Sequence, residues 1–456
     1  MKESSLYGHV IELLALAARS RRPADEMVGK FFRERRYLGA RDRRFIAEMT
    51  FDVVRNQRLL DHVVDSVASV SPGMVPGSRA RPFCLLLAYL VVVRRLDKAE
   101  LIGSLSSLWT AYIRDVTFEE YLQKLGSYWA SFQWPVPPID RLALQYSVHP
   151  SVVRDWVEGL GPVEAEALCR ASNTASPITA RVNTIQCSRE ECRKSLLYEG
   201  IETEPTPLSP DGLVFAKRIN AQSLLTFRKG WFEIQDEGSQ LVSRVIMPLP
   251  GAIILDACAG GGGKTLHLAA LMHNEGTIIA ADVSKMRIAN LKARVQRAGV
   301  AIVRVGEDEG RADNGKVFAF DAVLIDAPCS GTGTYRRNPW LKSTFDPESV
   351  ERLAGAQQQL LRRHAHHVRL GGKLVYSTCS LLRRENEDHI HEFLRSNTQF
   401  TLVSAGEILA KQGIGIEGTS PFLSLYPHRH RTDGFFVAVM ERNVERSSTS
   451  KDVEGE

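Results

Sequence analysis

The chain has 456 residues, and its seven cysteines (Cys84, Cys169, Cys187, Cys192, Cys258, Cys329, Cys379) include no CxxC pair and form an odd set. Neither a disulfide framework nor a zinc site is indicated, so reduced thiols and no metal are expected. Long apolar runs are missing too. The longest, FCLLLAYLVVV from Phe83 to Val93, falls well short of the roughly 20 residues that span a bilayer and reads as a buried helix. No apolar stretch follows a basic start at the amino terminus, which makes a cytoplasmic protein without membrane contact the expectation. Internal repeats and coiled-coil heptads are also lacking, so a monomer is expected.

What is present begins with an ordinary soluble composition, 44% apolar and 24% charged, in a length suited to two or three domains. The formal net charge of +5 is mild, yet about that whole excess lies in the first sixty residues, in RSRRP and RERRYLGARDRR. An anionic partner fits this bias, with nucleic acid first among the candidates. A solvated helix face laced with Glu34, Asp42 and Glu48 accounts for the charge equally well.

Residues 1–140 carry helical periodicity at Leu6 to Ala18, Ala24 to Arg36, Arg41 to Asp65, the run after Pro82, and Lys98 to Trp109, predicting an all-helical module. Helical patterns continue from Ser151 to Ala171. From Ile178 the texture changes to ITARVNT, a helix over Arg189 to Glu199, then GLVFAKR and WFEIQDEG, which predicts a small α+β subdomain and puts residues 141–235 in one linker-and-subdomain region. Residues 236–442 alternate strands (Ile253 to Leu255, Thr277 to Ala281, Ala322 to Ile325, Lys373 to Tyr376) with helices (Lys285 to Ala298, Glu348 to Arg369). That alternation specifies a doubly wound, mostly parallel, Rossmann-like α/β sheet. Residues 443–456 read as a polar tail.

ILDACAGGGGKT, from Ile254 to Thr265, is a strand, a glycine turn and a helix start, the place where such a sheet binds ligands. A phosphate-binding P-loop needs glycine where Cys258 stands, so an NTPase reading fails. The next strand ends at Asp282, where a carboxylate can accept both hydroxyls of a ribose; its plain alternative is to cap the following helix. Asp308 and Glu309 follow the third strand and could reach an adenine, and a surface turn explains them nearly as well. DAPCSGTG (Asp326 to Gly333) and YSTCS (Tyr376 to Ser380) each follow an apolar strand. Carbon 5 of cytosine becomes nucleophilic only after addition at carbon 6, and a thiolate is well suited to that addition. A lone free cysteine is usually a small buried hydrophobe; Asp, Pro, Ser and Gly around Cys329 and Cys379 at strand ends argue otherwise. Cys84, Cys169, Cys187 and Cys192 keep the packing role.

These segments resemble the RNA cytosine carbon-5 methyltransferases of the Sun/Fmu (RsmB-like) family. The match runs in order through RVN (Arg181 to Asn183), QDEGSQLV, DACAGGGGKT, ADVSKMRIANLKARVQRAG, DAPCSGTG, RRNPWLK, GGKLVYSTCSLLRRENE and DGFFVA, over about the last 280 residues. IAEMTFDVVRN, preceded by LGARDRR, is similar to the NusB-like RNA-binding domain of the bacterial ribosomal RNA branch. The resemblance implies a class I methyltransferase core, S-adenosylmethionine as cofactor, and ribosomal RNA ahead of transfer RNA as substrate. By position it makes Cys379 the nucleophile toward carbon 6, Cys329 the thiol that assists release, and Asp326 the group on the cytosine edge that helps protonate the ring nitrogen. It assigns the cofactor to Cys258, Ala259, Gly260, Gly261, Gly262, Gly263, Lys264 and Asp282, with Asp308 or Glu309 beyond them and Asp326 alongside. RNA contacts fall on Arg181, Arg336 and Arg337.

The chain departs from the family pattern in the cofactor loop, where Gly260 and Gly261 replace Ala-Pro and should loosen it. Arg383 and Arg384 replace Pro and an acidic residue before Glu385. DNA cytosine methyltransferases do not need the TCS cysteine, and amino-group methyltransferases place an Asn/Asp-Pro-Pro-aromatic segment where this chain has DAPC. A scaffold that binds RNA without catalysis has no use for both cysteines, Asp326 and Lys264 together.

Overall fold

A computed structural model describes residues 2–19, 24–69, 79–113, 116–306, 319–416 and 421–443. The chain forms two compact units, residues 1–174 with 335–345, and residues 175–334 with 346–456.

The first unit is helical. Helices Glu3–Arg19, Ala40–Arg55, Gln57–Ser69, Arg81–Val92, Lys98–Trp109 and Phe118–Ala130 surround one apolar core that includes Val10, Leu60, Leu86, Leu105 and Tyr121. Local chemistry sets the helix ends. Asp97 accepts from the Glu100 amide at 2.9 Å, and Thr117 and Glu120 form a reciprocal capping box, each cap contributing about 1 kcal/mol. Two stretches that the periodicity shows as continuous are broken. Asn56 stops the first by turning its Nδ2 back to the Asp52 carbonyl at 2.9 Å, and Gly161, at φ 82°, separates Pro150–Leu160 from Pro162–Ala171. By their contacts, helices 138–171 cluster with the helical unit.

Segment 335–345 also packs in this unit. Trp340 meets Phe51 edge-on at 4.8 Å between ring centroids. The buried Lys342 ammonium donates to the carbonyls of Arg55 (3.1 Å) and Tyr146 (2.7 Å) and to Asn173 Oδ1. Burial lowers its pKa to about 7.

The second unit holds two sheets. Strands β1 (Thr179–Val182), β2 (Thr203–Pro205), β3 (Gly212–Phe215) and β4 (Phe232–Ile234) form an antiparallel sheet in the order β2-β3-β1-β4. With helix Arg189–Tyr198 it encloses a core of Ala180, Val182, Cys192, Leu196, Leu213 and Phe232. The larger sheet comprises β5 (Ile253–Asp256), β6 (Thr277–Ala280), β7 (Val303–Val305), β8 (Phe320–Asp326), β9 (Val368–Thr378), β10 (Phe400–Val403), β11 (Leu423–Leu425) and β12 (Phe435–Arg442). Its order is β10-β12-β9-β8-β5-β6-β7, with β11 on β12.

Strands β5 to β9 pair in parallel, and β12 runs antiparallel to β9, β10 and β11. The chain leaves β5 toward β6 and β7, then returns to β8 on the other flank. The crevice between the carboxyl ends of β5 and β8 is therefore the topological switch point, where this kind of sheet takes its ligands. The predicted helix Lys285–Ala298 is observed at those bounds. The predicted helix through Arg369 instead stops at Ala365, because residues from Val368 onward pair with β8. Among the described residues, no helix is long and apolar enough to cross a membrane.

Candidate active site

Strand register assembles the site. In the β8–β9 ladder Asp326 stands opposite Ser377, so the segments after these two residues leave the sheet side by side. Cys329 and Cys379 meet there with their sulfurs 3.4 Å apart. Both cysteines are half-buried, unlike Cys84, Cys169, Cys187 and Cys192, which are buried. Backbone contacts fix the approach. The Gly333 amide donates to the Cys379 carbonyl at 2.9 Å, and the Gly434 amide to the Gly333 carbonyl at 2.8 Å. A Cβ on Gly333 would collide with the Gly434 and Cys379 carbonyls, which accounts for glycine in both SGTG and DGFF.

Asp326 ends β8 with its carboxylate divided between two donors, Lys264 Nζ at 2.6 Å and Ser377 Oγ at 2.9 Å. Its side chain keeps 32% of its surface, against 10% for Lys264. The Cys329 thiol is pushed up from its ordinary value by its hydrogen bond with Cys379, by burial and by the nearby Glu385 charge, so Cys329 retains its proton. Asp256, at the end of β5, is 1% exposed. Burial raises its pKa to about 7, although Thr265 Oγ1 donates to it at 2.7 Å.

The glycine loop lies across the crevice. Gly260 (φ 55°) and Gly262 (φ 83°) adopt left-handed conformations, and a Cβ on Gly262 would strike Leu291. Helix Gly263–Leu271 starts directly after the loop, with its free amides and positive dipole end at the crevice. Asp282 ties the loop to β6: Oδ2 accepts from the Gly260 amide at 3.0 Å and Oδ1 from the Ser284 amide at 2.8 Å. Ser284, not Asp282, caps the following helix. Asp282 Oδ2 also lies 3.7 Å from the Arg287 guanidinium, while Oδ1 keeps a lone pair for a hydroxyl donor. The next residue, Val283, is fully exposed, an apolar surface beside a carboxylate that the sequence pattern did not flag.

Two of the expected RNA contacts are placed differently. Arg181 is 1% exposed; its Nε donates to Gln235 Oε1 at 2.7 Å, and burial lowers its pKa to about 10. Strand β1 is covered on both faces, so every side chain in it points into packing. Arg336 is buried within the helical unit, while Arg337 is half-buried there. Asp308 and Glu309 lie outside the described residues. Sequence reasoning assigned no role to Ser377, Glu385 or Asn386, all buried and bonded to Asp326 or to the two cysteine loops.

A seven-stranded order with an antiparallel β12, a glycine loop at the switch point and an acid after β6 define a class I methyltransferase. Two neighbouring thiols on the fourth and fifth parallel strands narrow the class further. Comparison with known proteins then gives the family. Residues 243–441 match the model described as 16S rRNA methyltransferase RsmB/F, and residues 149–222 match its ferredoxin-like domain.

The chain is 36% identical over 316 residues to the probable ribosomal RNA small subunit methyltransferase B of Bacillus subtilis, covering 68% of this chain and 70% of that one. It is 32% identical to the probable enzyme B of Synechocystis over 89% of this chain and 92% of that one. Among solved structures, the protein PH0851 superposes with a TM-score of 0.78 at 27% identity, over 97% of this chain and 99% of that one. A methyltransferase homologue from Pyrococcus horikoshii gives 0.56 at 28% identity, over 68% and 100%. The chain belongs to the RsmB/F family of S-adenosylmethionine-dependent rRNA methyltransferases. The open approach at Gly260, the Asp282 carboxylate and the exposed Val283 fit that cofactor.

Proposed function

We propose that the protein methylates carbon 5 of a cytidine in 16S ribosomal RNA through a covalent bond between Cys379 and carbon 6. The observation that carries this reading is the 3.4 Å approach of the Cys329 and Cys379 sulfurs beside the Asp326 carboxylate. Carbons 5 and 6 are adjacent ring atoms, so two thiols in contact can serve both. The Cys379 thiolate adds to carbon 6, and the electron pair displaced from the 5,6 double bond makes carbon 5 nucleophilic. Bound S-adenosylmethionine supplies the methyl group as an electrophile. The Cys258 to Gly263 backbone, Lys264 and Asp282 hold it.

Asp326 accepts from the cytosine amino edge, and the Lys264 ammonium at 2.6 Å supplies a proton beside the ring nitrogen as charge accumulates there. Release reverses the addition. The ring nitrogen returns its proton to Lys264; the carbon 5 proton passes to the Cys329 sulfur while the proton Cys329 held passes to the departing Cys379 sulfur; the carbon–hydrogen pair re-forms the double bond, and the carbon–sulfur pair returns to Cys379. A cytidine in a helix must leave its stack first, at a cost of a few kcal/mol, which favours an unpaired target. The test is tritium transfer from labelled cofactor to ribosomal and transfer RNA lacking the modification, followed by nucleoside analysis. Label in 5-methylcytidine of ribosomal RNA is expected; label only in transfer RNA would discard the substrate, and label in another nucleoside the chemistry.

A further inference from the structure

Glu385 and Asn386, neighbours in the RRENE segment, hold the two cysteine loops from behind. Glu385 is wholly buried. Its Oε1 accepts from the Ser330 amide at 2.9 Å and from Gln357 Nε2 at 3.1 Å, and its Oε2 from Ser330 Oγ at 2.5 Å. Gln357 also donates to the Pro328 carbonyl at 2.9 Å, so both neighbours of Cys329 are held through this one carboxylate and its partner. Asn386 does the same for Cys379, accepting from Thr378 Oγ1 at 2.6 Å and donating to the Ser380 carbonyl at 2.9 Å. A seam of hydroxyls joins the loops, with Ser330 Oγ and Thr332 Oγ1 at 3.1 and 3.2 Å from Ser380 Oγ. Burying a carboxylate is costly unless its lone pairs are filled. Here they are filled by Ser330 of the loop that carries Cys329 and by Gln357, and a neutral residue would pack there at less cost.

On the covalent reading above, we propose that Glu385 is a positioning residue for release: its carboxylate fixes Cys329 against Cys379, so adduct formation survives its loss while adduct resolution fails. The groups facing Cys329 are Cys379, Glu385 and the buried Tyr376. Of these Glu385 adds the negative charge that helps Cys329 keep its proton, and Cys329 must hold that proton to give it to the departing sulfur.

The experiment compares the full-length wild type with Glu385→Gln and Ser330→Ala on unmodified 16S RNA. Single-turnover methyl transfer, steady-state kcat and cofactor KM, and protein–RNA adduct on denaturing gels are read across pH. For Glu385→Gln, single-turnover transfer and KM should stay within about threefold while kcat falls about 100-fold. Adduct should accumulate, and the basic limb of the kcat profile should move to lower pH. Ser330→Ala should shift the same way by about tenfold, and it decides the matter if Glu385→Gln lacks a native near-ultraviolet dichroism spectrum. Wild-type release in the variants, or parallel loss of transfer and release, overturns the positioning role. A wild-type enzyme that forms no adduct with RNA containing 5-fluorocytidine overturns the covalent reading itself.

Discussion

The small antiparallel sheet and the large parallel sheet carry the same reactive side-chain types under different conditions. In the small sheet Cys187 and Cys192 are hydrogen-bonded neighbours, both buried among Val182, Leu196 and Phe232, and both near the Trp231 carbonyl at 3.9 Å. Their mutual hydrogen bond and burial push the Cys192 thiol well up. At the ends of β8 and β9, Cys329 and Cys379 are also neighbours but half-buried, beside an ion pair, a row of hydroxyls and a ligand crevice. Proximity of two thiols alone is therefore not the signal for the proposed covalent chemistry; it counts only where other groups join it. Access, together with polar groups that can move a proton, distinguishes the second pair.

Substitutions should separate the pairs by orders of magnitude. Cys379→Ala removes the proposed nucleophile, and methyl transfer should fall by about 10⁴-fold or more with cofactor binding unchanged by calorimetry. Full activity in that variant would dissolve the distinction between the pairs. Cys329→Ala should lower kcat by about 10²- to 10³-fold and leave a protein–RNA species on denaturing gels during turnover; turnover without that species would remove Cys329 from the release step. These two variants should fold normally, because both sites are half-buried.

Much of the large sheet's site was legible because its signals are local. Apolar runs ending in Asp, Pro, Cys, Ser and Gly put Asp326, Cys329 and Cys379 at strand ends, and the ladder register confirms their shared edge. Gly333 and Gly434 illustrate what was not legible: their backbones touch although a hundred residues separate them in sequence. Glu385 was hidden for a different reason. In RRENED it has the composition of a solvated surface, and only the fold turns that one carboxylate inward. The break at Asn56 escaped because helical periodicity continues through it, while the stop itself is a side-chain bond to Asp52.

Arg181 extends the comparison from thiols to cations. An arginine in a strand beside RNA-binding motifs invites a phosphate contact, yet β1 is covered on both sides and the Arg181 Nε donates to Gln235. Arg181→Met should lower unfolding stability by about 2 kcal/mol, visible as a lower denaturant midpoint. The slope of log RNA affinity against log salt should be unchanged, because no phosphate contact is lost. A shallower slope with wild-type stability would return Arg181 to the RNA surface.

The smallest effect concerns two aspartates on adjacent strands. Asp326, paired with Lys264 and partly accessible, works as an acceptor; Asp256, nearly inaccessible, has its pKa raised from 3.8 to about 7 by burial. A raised folded-state value means that the native protein holds a proton which the unfolded chain releases once pH exceeds 3.8. That contribution is fully present below the unfolded value and is lost as pH rises through about 7. Asp256→Asn keeps the shape and removes the titration. Relative to wild type, the variant should therefore gain about 2–4 kcal/mol in unfolding free energy between about pH 4 and pH 8. Urea melts of both proteins at the two pH values measure the difference directly. A flat difference would mean that Asp256 is ionised in the native protein, and its environment would then resemble that of Asp326 after all.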